Sequence, residues 1–328
     1  MSAKGKILVI RGGAIGDFIL TLPVLAALRR NFPDVHLEVL GYPHIAQLAL
    51  AGGLADRVQA IEARALAEFF ARDGGLPEAQ RDYFSEFNII ISYLYDPDEI
   101  FRTNLAKCSP AQFIAAPHRP AERDELHATQ VYLNPLMRLA IFDADPVPRI
   151  KLVGTRSTAS QSSQVNDQTG DAKKRVPTIA LHPGSGSERK NWPEAKWAEL
   201  VLRLAKETTM QLLLVGGEAE GERLQRLATK LPAGRCEIAQ SLPLADLAVR
   251  LSACRAFAGH DSGITHLAAA VGLPCVVLWA DTLEELWRPL GQRVEILREP
   301  QGLGNLSVER VLRKLVESFQ ADSQPRKA

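Results

Sequence analysis

Apolar positions along the chain recur in two patterns. Short aliphatic runs, Lys6-Ile-Leu-Val-Ile-Arg11 first among them, have the composition of strands buried on both faces. A glycine turn follows, and then residues 17–31 carry Phe18, Leu22, Leu25 and Leu28 at helical spacing before stopping at Asn31-Phe-Pro33. The run 35–40 is the next strand, so the opening is a βαβ unit. Further strands are predicted at 87–92 and 112–115, and a long helix from about 124 to 142.

Between about 154 and 175 the pattern lapses into polar residues with almost no bulky apolar side chains, Thr155-Arg-Ser-Thr-Ala-Ser-Gln-Ser-Ser-Gln164 at its core. Such a stretch buries too little to offset the entropy of ordering it. It reads as a linker or a disordered insertion. The alternation then restarts, with strands at 178–182, 211–215, 256–259 and 275–279 and helices at 193–208, 218–229, 244–253, 262–271 and 308–320. Strands separated by helices imply an α/β fold with doubly wound parallel sheets. The expected organisation is an N-terminal domain over 1–153, a polar segment over 154–176 and a C-terminal domain over 177–328.

Composition narrows the function. The 39 Lys+Arg against 38 Asp+Glu leave a formal charge of +1, and 46% of the 328 residues are hydrophobic. That balance provides no global field for nucleic acid. The longest apolar runs, 18–28 and 267–280, fall short of the roughly 20 residues that span a bilayer, and the N-terminus lacks a signal-peptide pattern. A cytoplasmic protein is expected. Cys108, Cys236, Cys254 and Cys275 match no metal knuckle or disulfide framework and read as buried free thiols.

Ligands of open α/β sheets bind beyond the carboxyl ends of strands, and three such turns carry candidate chemistry. In Arg11-Gly-Gly-Ala-Ile-Gly-Asp17, the small residues Gly13, Ala14 and Gly16 let the backbone approach a ligand at a helix start, and Asp17 is either a helix cap or a working carboxylate. Arg11 stands where GxGxxG would need glycine, and no P-loop can be written through the turn. The loop after 178–182 offers Ser185, Gly186, Ser187 and then Lys190, the parts of a phosphate cradle or an ordinary Gly/Ser loop. In Gly259-His-Asp-Ser-Gly-Ile-Thr-His266, Asp261 and Ser262 meet a helix start, with Gly263 and His266 behind them. They read either as caps with a satisfied helix histidine or as part of a site; the order does not fit the G-x-S-x-G elbow of hydrolases. The triplets Asp96-Pro-Asp98 and Asp143-Ala-Asp145 sit in turn sequence, and the other histidines form no metal spacing, so no metal is expected.

Taken together, Gly16-Asp-Phe-Ile-Leu-Thr-Leu-Pro-Val-Leu-Ala-Ala-Leu-Arg29, Lys190-Asn-Trp-Pro-Glu-Ala-Lys-Trp-Ala-Glu-Leu200 and Asp261-Ser-Gly-Ile-Thr-His-Leu-Ala-Ala-Ala270 resemble the motifs of glycosyltransferase family 9, whose best-known members are ADP-heptose:lipopolysaccharide heptosyltransferases. The resemblance implies a GT-B architecture, two Rossmann-like domains facing across a cleft, and an inverting transfer without metal. It implies Asp17 as catalytic base. Gly13, Ala14, Gly16, Ser185, Gly186, Ser187, Lys190, Asp261, Ser262, Gly263 and His266 would lie around the donor diphosphate and sugar, with Glu220 and Leu242 at the nucleoside. Where many members carry serines just before the Gly-Asp pair, this chain has Gly13 and Ala14, so contacts there come from backbone N–H groups.

The expected function is therefore transfer of a sugar, heptose from ADP-heptose, to a hydroxyl of a glycan or lipopolysaccharide-type acceptor. The nucleotide sugar is a co-substrate and no cofactor is implied. A monomer is expected, touching the inner face of the membrane peripherally if its acceptor is lipid-linked. Rival readings are a sugar-nucleotide epimerase of the same fold and a non-catalytic nucleotide-binding module. Tyr93-Leu-Tyr-Asp-Pro-Asp98 carries no legible acceptor signature.

Overall fold

The computed structural model describes residues 5–72, 74–121, 125–152 and 176–320. Two parallel sheets organise them, each begun by one of the aliphatic runs. The first takes β1 (Lys6–Arg11), β2 (His36–Gly41), β3 (Arg57–Ala60), β4 (Ile89–Ser92) and β5 (Gln112–Ala115) in the order β3-β2-β1-β4-β5. The second takes β6 (Thr178–His182), β7 (Gln211–Gly216), β8 (Cys236–Gln240), β9 (Ala256–His260), β10 (Cys275–Leu278) and β11 (Val294–Leu297) in the order β11-β10-β9-β6-β7-β8. Strand order reverses beside the first strand of each sheet, between β1 and β4 and between β6 and β9. A crevice opens at the carboxyl ends of strands where the order reverses, and Arg11, Ser92, His182 and His260 are the residues that end them.

The helices of the first half are α1 (Ile15–Asn31), α2 (Pro43–Ala51), α3 (Glu78–Ser85), α4 (Ile100–Ala106) and α5 (Ala128–Leu133); those of the second are α6 (Glu194–Glu207), α7 (Gly221–Ala228), α8 (Leu244–Ser252), α9 (Gly263–Ala270), α10 (Glu284–Trp287) and α11 (Val308–Gln320). Alternation along β1 shows how they layer. Leu8 and Ile10 pack outward against Phe69, Phe84 and Phe101, while Ile7 and Val9 face inward with α1 and α2. On the far side of the second sheet, Ile179 and Leu181 meet Trp197, Leu200, Val311 and Leu315 from α6 and α11. The inner layers merge: α1 packs on α9 and α2 on α8, and one hydrophobic cluster runs from Val9 and Leu22 to Leu267 and Ala180. The two halves thus share a core beneath the cleft between them.

That shared core explains why α1 exceeds its predicted stripe. Phe18 to Leu25 are all buried, because the helix lies between its own sheet and α9. The long helix expected over 124–142 is corrected: residues 122–124 lie outside the described residues, α5 ends at Leu133, and a 3-10 turn, Asn134–Leu139, follows. Pro135 has no N–H to continue the ladder and constrains the residue before it, and Ala140 stops the turn at φ 57°. The unanticipated strands β3, β8 and β11 all lie at sheet edges and are half-exposed, so they lack the continuous aliphatic run that identifies a central strand. The polar segment lies almost wholly outside the described residues. Before it, the Ile150 N–H already donates to the Ala270 carbonyl of α9 at 2.9 Å. Of the four free cysteines only Cys275 is fully buried; the other three are half-buried. Among the described residues, no helix is long and apolar enough to cross a membrane.

Candidate active site

A cavity of about 760 Å³ opens where the crevices face each other. Gly13, Ala14, Gly16 and Asp17 line it from the turn after β1, and Lys190, Asp261, Ser262, Gly263 and His266 from the second half. The fold thus brings together one glycine turn and two loops far apart in sequence.

Asp17 sits one turn inside α1, at its third residue, and Ala14 holds the N-cap position. One carboxylate oxygen, Oδ2, accepts the Ala14 N–H at 3.1 Å, so the capping role is real for that oxygen. Gly13 makes the reach possible by adopting φ +94°, a conformation costly for any residue with a Cβ. The other oxygen, Oδ1, is met by the Tyr132 hydroxyl, which donates at 3.4 Å, and by Arg11 Nη2 at 3.6 Å.

Arg11 is only 2% exposed. Its guanidinium lies over the ring of Tyr132, 4.5 Å from the centroid, and 5.6 Å from that of Tyr93. It donates to the His118 carbonyl at 2.8 Å and to the Asp17 carbonyl at 3.3 Å. Burying an arginine is tolerable only when it is paired and hydrogen-bonded, and here the partners include the candidate base. Burial, reinforced by Asp17 and opposed by Arg11, pushes the Tyr132 hydroxyl up to about 12, so it stays a donor at neutral pH.

Across the cavity, Lys190 Nζ donates to Asp261 Oδ2 at 2.8 Å, and Thr282 donates to the same oxygen at 2.6 Å. Asp261 therefore aims the lysine. Ser262 is the N-cap of α9 and accepts the Thr265 N–H at 3.3 Å. At Gly263 a Cβ would fall 2.7 Å from Ile15 Cβ and 2.9 Å from the Gly16 nitrogen. The starts of α1 and α9 touch there, and only glycine fits. The His266 ring borders Gly16, and burial, against the attraction of Asp261 and Asp17, pulls its pKa below the ordinary imidazole range.

Ser185, Gly186, Ser187, Glu220 and Leu242 do not line this cavity. Ser185 donates to Asn191 Oδ1 at 2.7 Å, and Gly186 has φ +72°. Glu220 Oε2 accepts the Gly217 N–H at 2.9 Å, and its side chain lies so close to Gly184 that a Cβ there would meet Glu220 Cγ at 2.4 Å. Glu220 and the Gly/Ser loop thus stand together at the ends of β6 and β7, while Leu242 is half-buried against the shared core. Two buried histidines brace the loop. His260 Nε2 accepts the Trp192 N–H at 2.7 Å, which leaves Nδ1 to donate to the Gly184 carbonyl at 3.1 Å; burial holds it neutral, with a pKa pulled down to about 3. His182 Nδ1 is 2.8 Å from the Val215 carbonyl, and burial lowers its pKa too.

Sequence reasoning missed Arg11, Tyr93, Tyr132 and Thr282. For Arg11 a signal existed, a charged residue closing an otherwise aliphatic strand; the others are joined to the site only by folding. Asp96, one of the triplet aspartates, caps α4 by accepting the N–H groups of Phe101 and Arg102 at 3.1 and 3.0 Å. Among the described residues, no group of three or more His, Cys, Asp or Glu could hold a metal ion.

Comparison with known proteins follows the same lines. The model of glycosyltransferase family 9 (heptosyltransferase) matches residues 141–314, just over half of the chain. Lipopolysaccharide heptosyltransferase 1 of Pseudomonas aeruginosa is 35% identical over 116 residues, 35% of this chain and 32% of that protein. The match to such curated relatives spans about a third of their length. Among solved structures, a family 9 glycosyl transferase from Veillonella parvula superposes with a TM-score of 0.77 at 19% identity, covering 98% of this chain and 99% of that one. Escherichia coli heptosyltransferase WaaC with ADP gives 0.69 at 18%, covering 95% and 99%. Those two likenesses establish the shared GT-B fold, and the family match, which contains Lys190 and the 261–266 segment, goes further. The chain belongs to glycosyltransferase family 9.

Proposed function

We propose that the protein is an inverting glycosyltransferase that moves a heptosyl unit from ADP-heptose to a hydroxyl of a glycan or lipopolysaccharide-type acceptor. Family membership supports the reaction class. The names of its relatives, heptosyltransferases among them and one solved with ADP, support the donor. The observation that carries the reading is the placement of Asp17 in one cavity with Lys190 and the N-terminus of α9.

In the proposed reaction the acceptor oxygen attacks the anomeric carbon, Asp17 takes its proton, and the bond to the diphosphate breaks on the opposite face of the ring. A carboxylate used this way is effective because the hydroxyl acidifies as the new bond forms; general bases contribute roughly 10²–10⁴-fold. Charge grows on the departing diphosphate, where Lys190 and the backbone N–H groups of Gly263 and its neighbours stabilise the transition state more than the ground state. Ser185, Gly186 and Ser187 extend that cradle, Glu220 takes the ribose hydroxyls, and Leu242 flanks the base. Residues 1–153 hold the acceptor and 177–328 the donor. A lipid-linked acceptor would be met by peripheral contact.

A panel of ADP-, UDP- and GDP-sugars, followed by diphosphate release with and without lipopolysaccharide core acceptors, tests the reading. Release from ADP-heptose that requires acceptor supports it. Conversion of donor with no acceptor would make the protein an epimerase, and binding without turnover on any acceptor would make it a nucleotide-binding module.

A further inference from the structure

The acceptor side of the cavity has no motif in the sequence, and its chemistry emerges only from folding. Opposite Lys190 and Asp261, the lining comes from loops that follow four strands of the first sheet: Tyr42 after β2, Ile61, Glu62 and Phe70 after β3, Leu94 and Tyr95 after β4, and His118 and Arg119 after β5. Three of these are aromatic rings left open to solvent, Tyr95 at 71%, Phe70 at 45% and Tyr42 at 37% exposed. Each is backed by another ring: Tyr95 by His118 at 4.7 Å, Phe70 by Phe101 at 5.1 Å and Tyr42 by His44 at 5.9 Å. Stacking of this kind holds a side chain in place without covering its outer face.

Charge on this wall is balanced. Among the described lining residues the lysine and arginines are Arg11, paired with Asp17 and buried; Lys190, paired with Asp261; and Arg119, whose guanidinium lies 5.5 Å over the ring of Trp287 from the other half. Glu62 adds a negative charge. Arg119 and Glu62 offset each other, so this wall presents no net charge to draw a phosphate or carboxylate. The C–H face of a pyranose, by contrast, is matched by the negative face of an aromatic ring, and its hydroxyls by a carboxylate and a phenol.

We propose that Tyr95, Phe70 and Tyr42 form an acceptor subsite that stacks an uncharged pyranose ring, with Glu62 accepting hydrogen bonds from its hydroxyls, and that this stack presents one hydroxyl to Asp17. The assignment rests on the transferase reading above and adds the substrate class: the ring that receives the transferred sugar is itself a neutral sugar. Because all three aromatics are exposed, truncating them leaves the core intact.

Saturation-transfer NMR on the ADP-loaded protein tests this without turnover, using methyl α-mannoside and its phosphate monoester as probes. The neutral glycoside should receive saturation at its ring C–H protons. Tyr95→Ala and Phe70→Ala should each weaken its binding by about tenfold, Tyr95→Phe should keep it, and the ADP affinity measured by calorimetry should not move. Tighter binding of the phosphate monoester than of the neutral glycoside overturns the proposal, as does unchanged glycoside binding in Tyr95→Ala, or no saturation of either probe. Failure of diphosphate release with every nucleotide sugar would sink the transferase reading instead, and the two results are read separately.

Discussion

The two sheets place their crevices at equivalent points and fill them differently. Beyond β1 and β4 the first half builds its centre from side chains: a carboxylate held between Arg11, Tyr132 and the Ala14 N–H, with Tyr93 closing the stack. Beyond β6 and β9 the second half relies on backbone, with glycines, a helix start and a Gly/Ser loop, to which one lysine adds charge. A reacting carboxylate must be oriented to a fraction of an ångström, whereas a diphosphate, diffuse in charge, is met well by many N–H donors. The difference is the one that the proposed division of labour between chemistry and donor binding requires, and variants should separate the two.

The widest separation is expected from Asp17→Asn. Asparagine preserves the shape and can still accept the Ala14 N–H, so the start of α1 survives, but it cannot take a proton. Turnover should fall by roughly 10²–10⁴-fold or more while ADP binding by calorimetry stays as it was. Near-normal turnover would remove Asp17 from the base role. Lys190→Ala makes the complementary cut. A hydrogen bond to a charged group contributes about 1.5–3 kcal/mol, so ADP affinity should drop roughly 10- to 150-fold, and the rate with it. Unaltered ADP affinity in that variant would place the diphosphate elsewhere.

Arg11→Lys asks whether the side-chain frame of the first half matters beyond its charge. Lysine keeps the cation but loses the planar fork that spans the His118 carbonyl and Asp17 and stacks on Tyr132. Expected is a fall in kcat of about tenfold with the KM for donor unchanged. Equal losses in kcat and donor affinity would mean that Arg11 supports the fold in general and not Asp17 in particular.

These residues also show where the sequence was legible. The turn after β1 and the loops after β6 and β9 announced themselves, because each couples glycines to a buried-type strand and a helix start, a local pattern. The frame around Asp17 did not. Tyr93 and Tyr132 reach Arg11 from segments some eighty and one hundred and twenty residues away, and the aromatic wall gathers one to three residues from each of four loops, so no spacing along the chain encodes either. The central strands could be read from their apolar runs, the edge strands β3, β8 and β11 could not, and Pro135 cut short a helix that periodicity alone extended.

Acid should expose the contrast between halves in stability, with the smallest effect per residue. His182, His260 and His266 in the second half are buried and held neutral, against one histidine in the first, His127, that is also pulled below the ordinary imidazole range, and desolvation is the leading cause at each. In the unfolded chain a histidine takes up a proton near pH 6.5; His260 in the folded protein does not until about 3. Between those values the unfolded state binds more protons, so stability falls as the pH drops below about 6.5 and is independent of these groups above it. From pH 7.0 to 5.5 each histidine that stays neutral when folded should cost about 1 kcal/mol, a window that ends before the carboxylates begin to titrate. Urea unfolding at the two pH values measures the sum, and His182→Asn should remove its share of the slope, because the asparagine amide nitrogen falls near the Nδ1 position and can still donate to the Val215 carbonyl without a titrating group. A flat profile would mean that these imidazoles take up protons in the folded state, and His182 and His260 would then brace the Gly/Ser loop as cations instead of neutral donors.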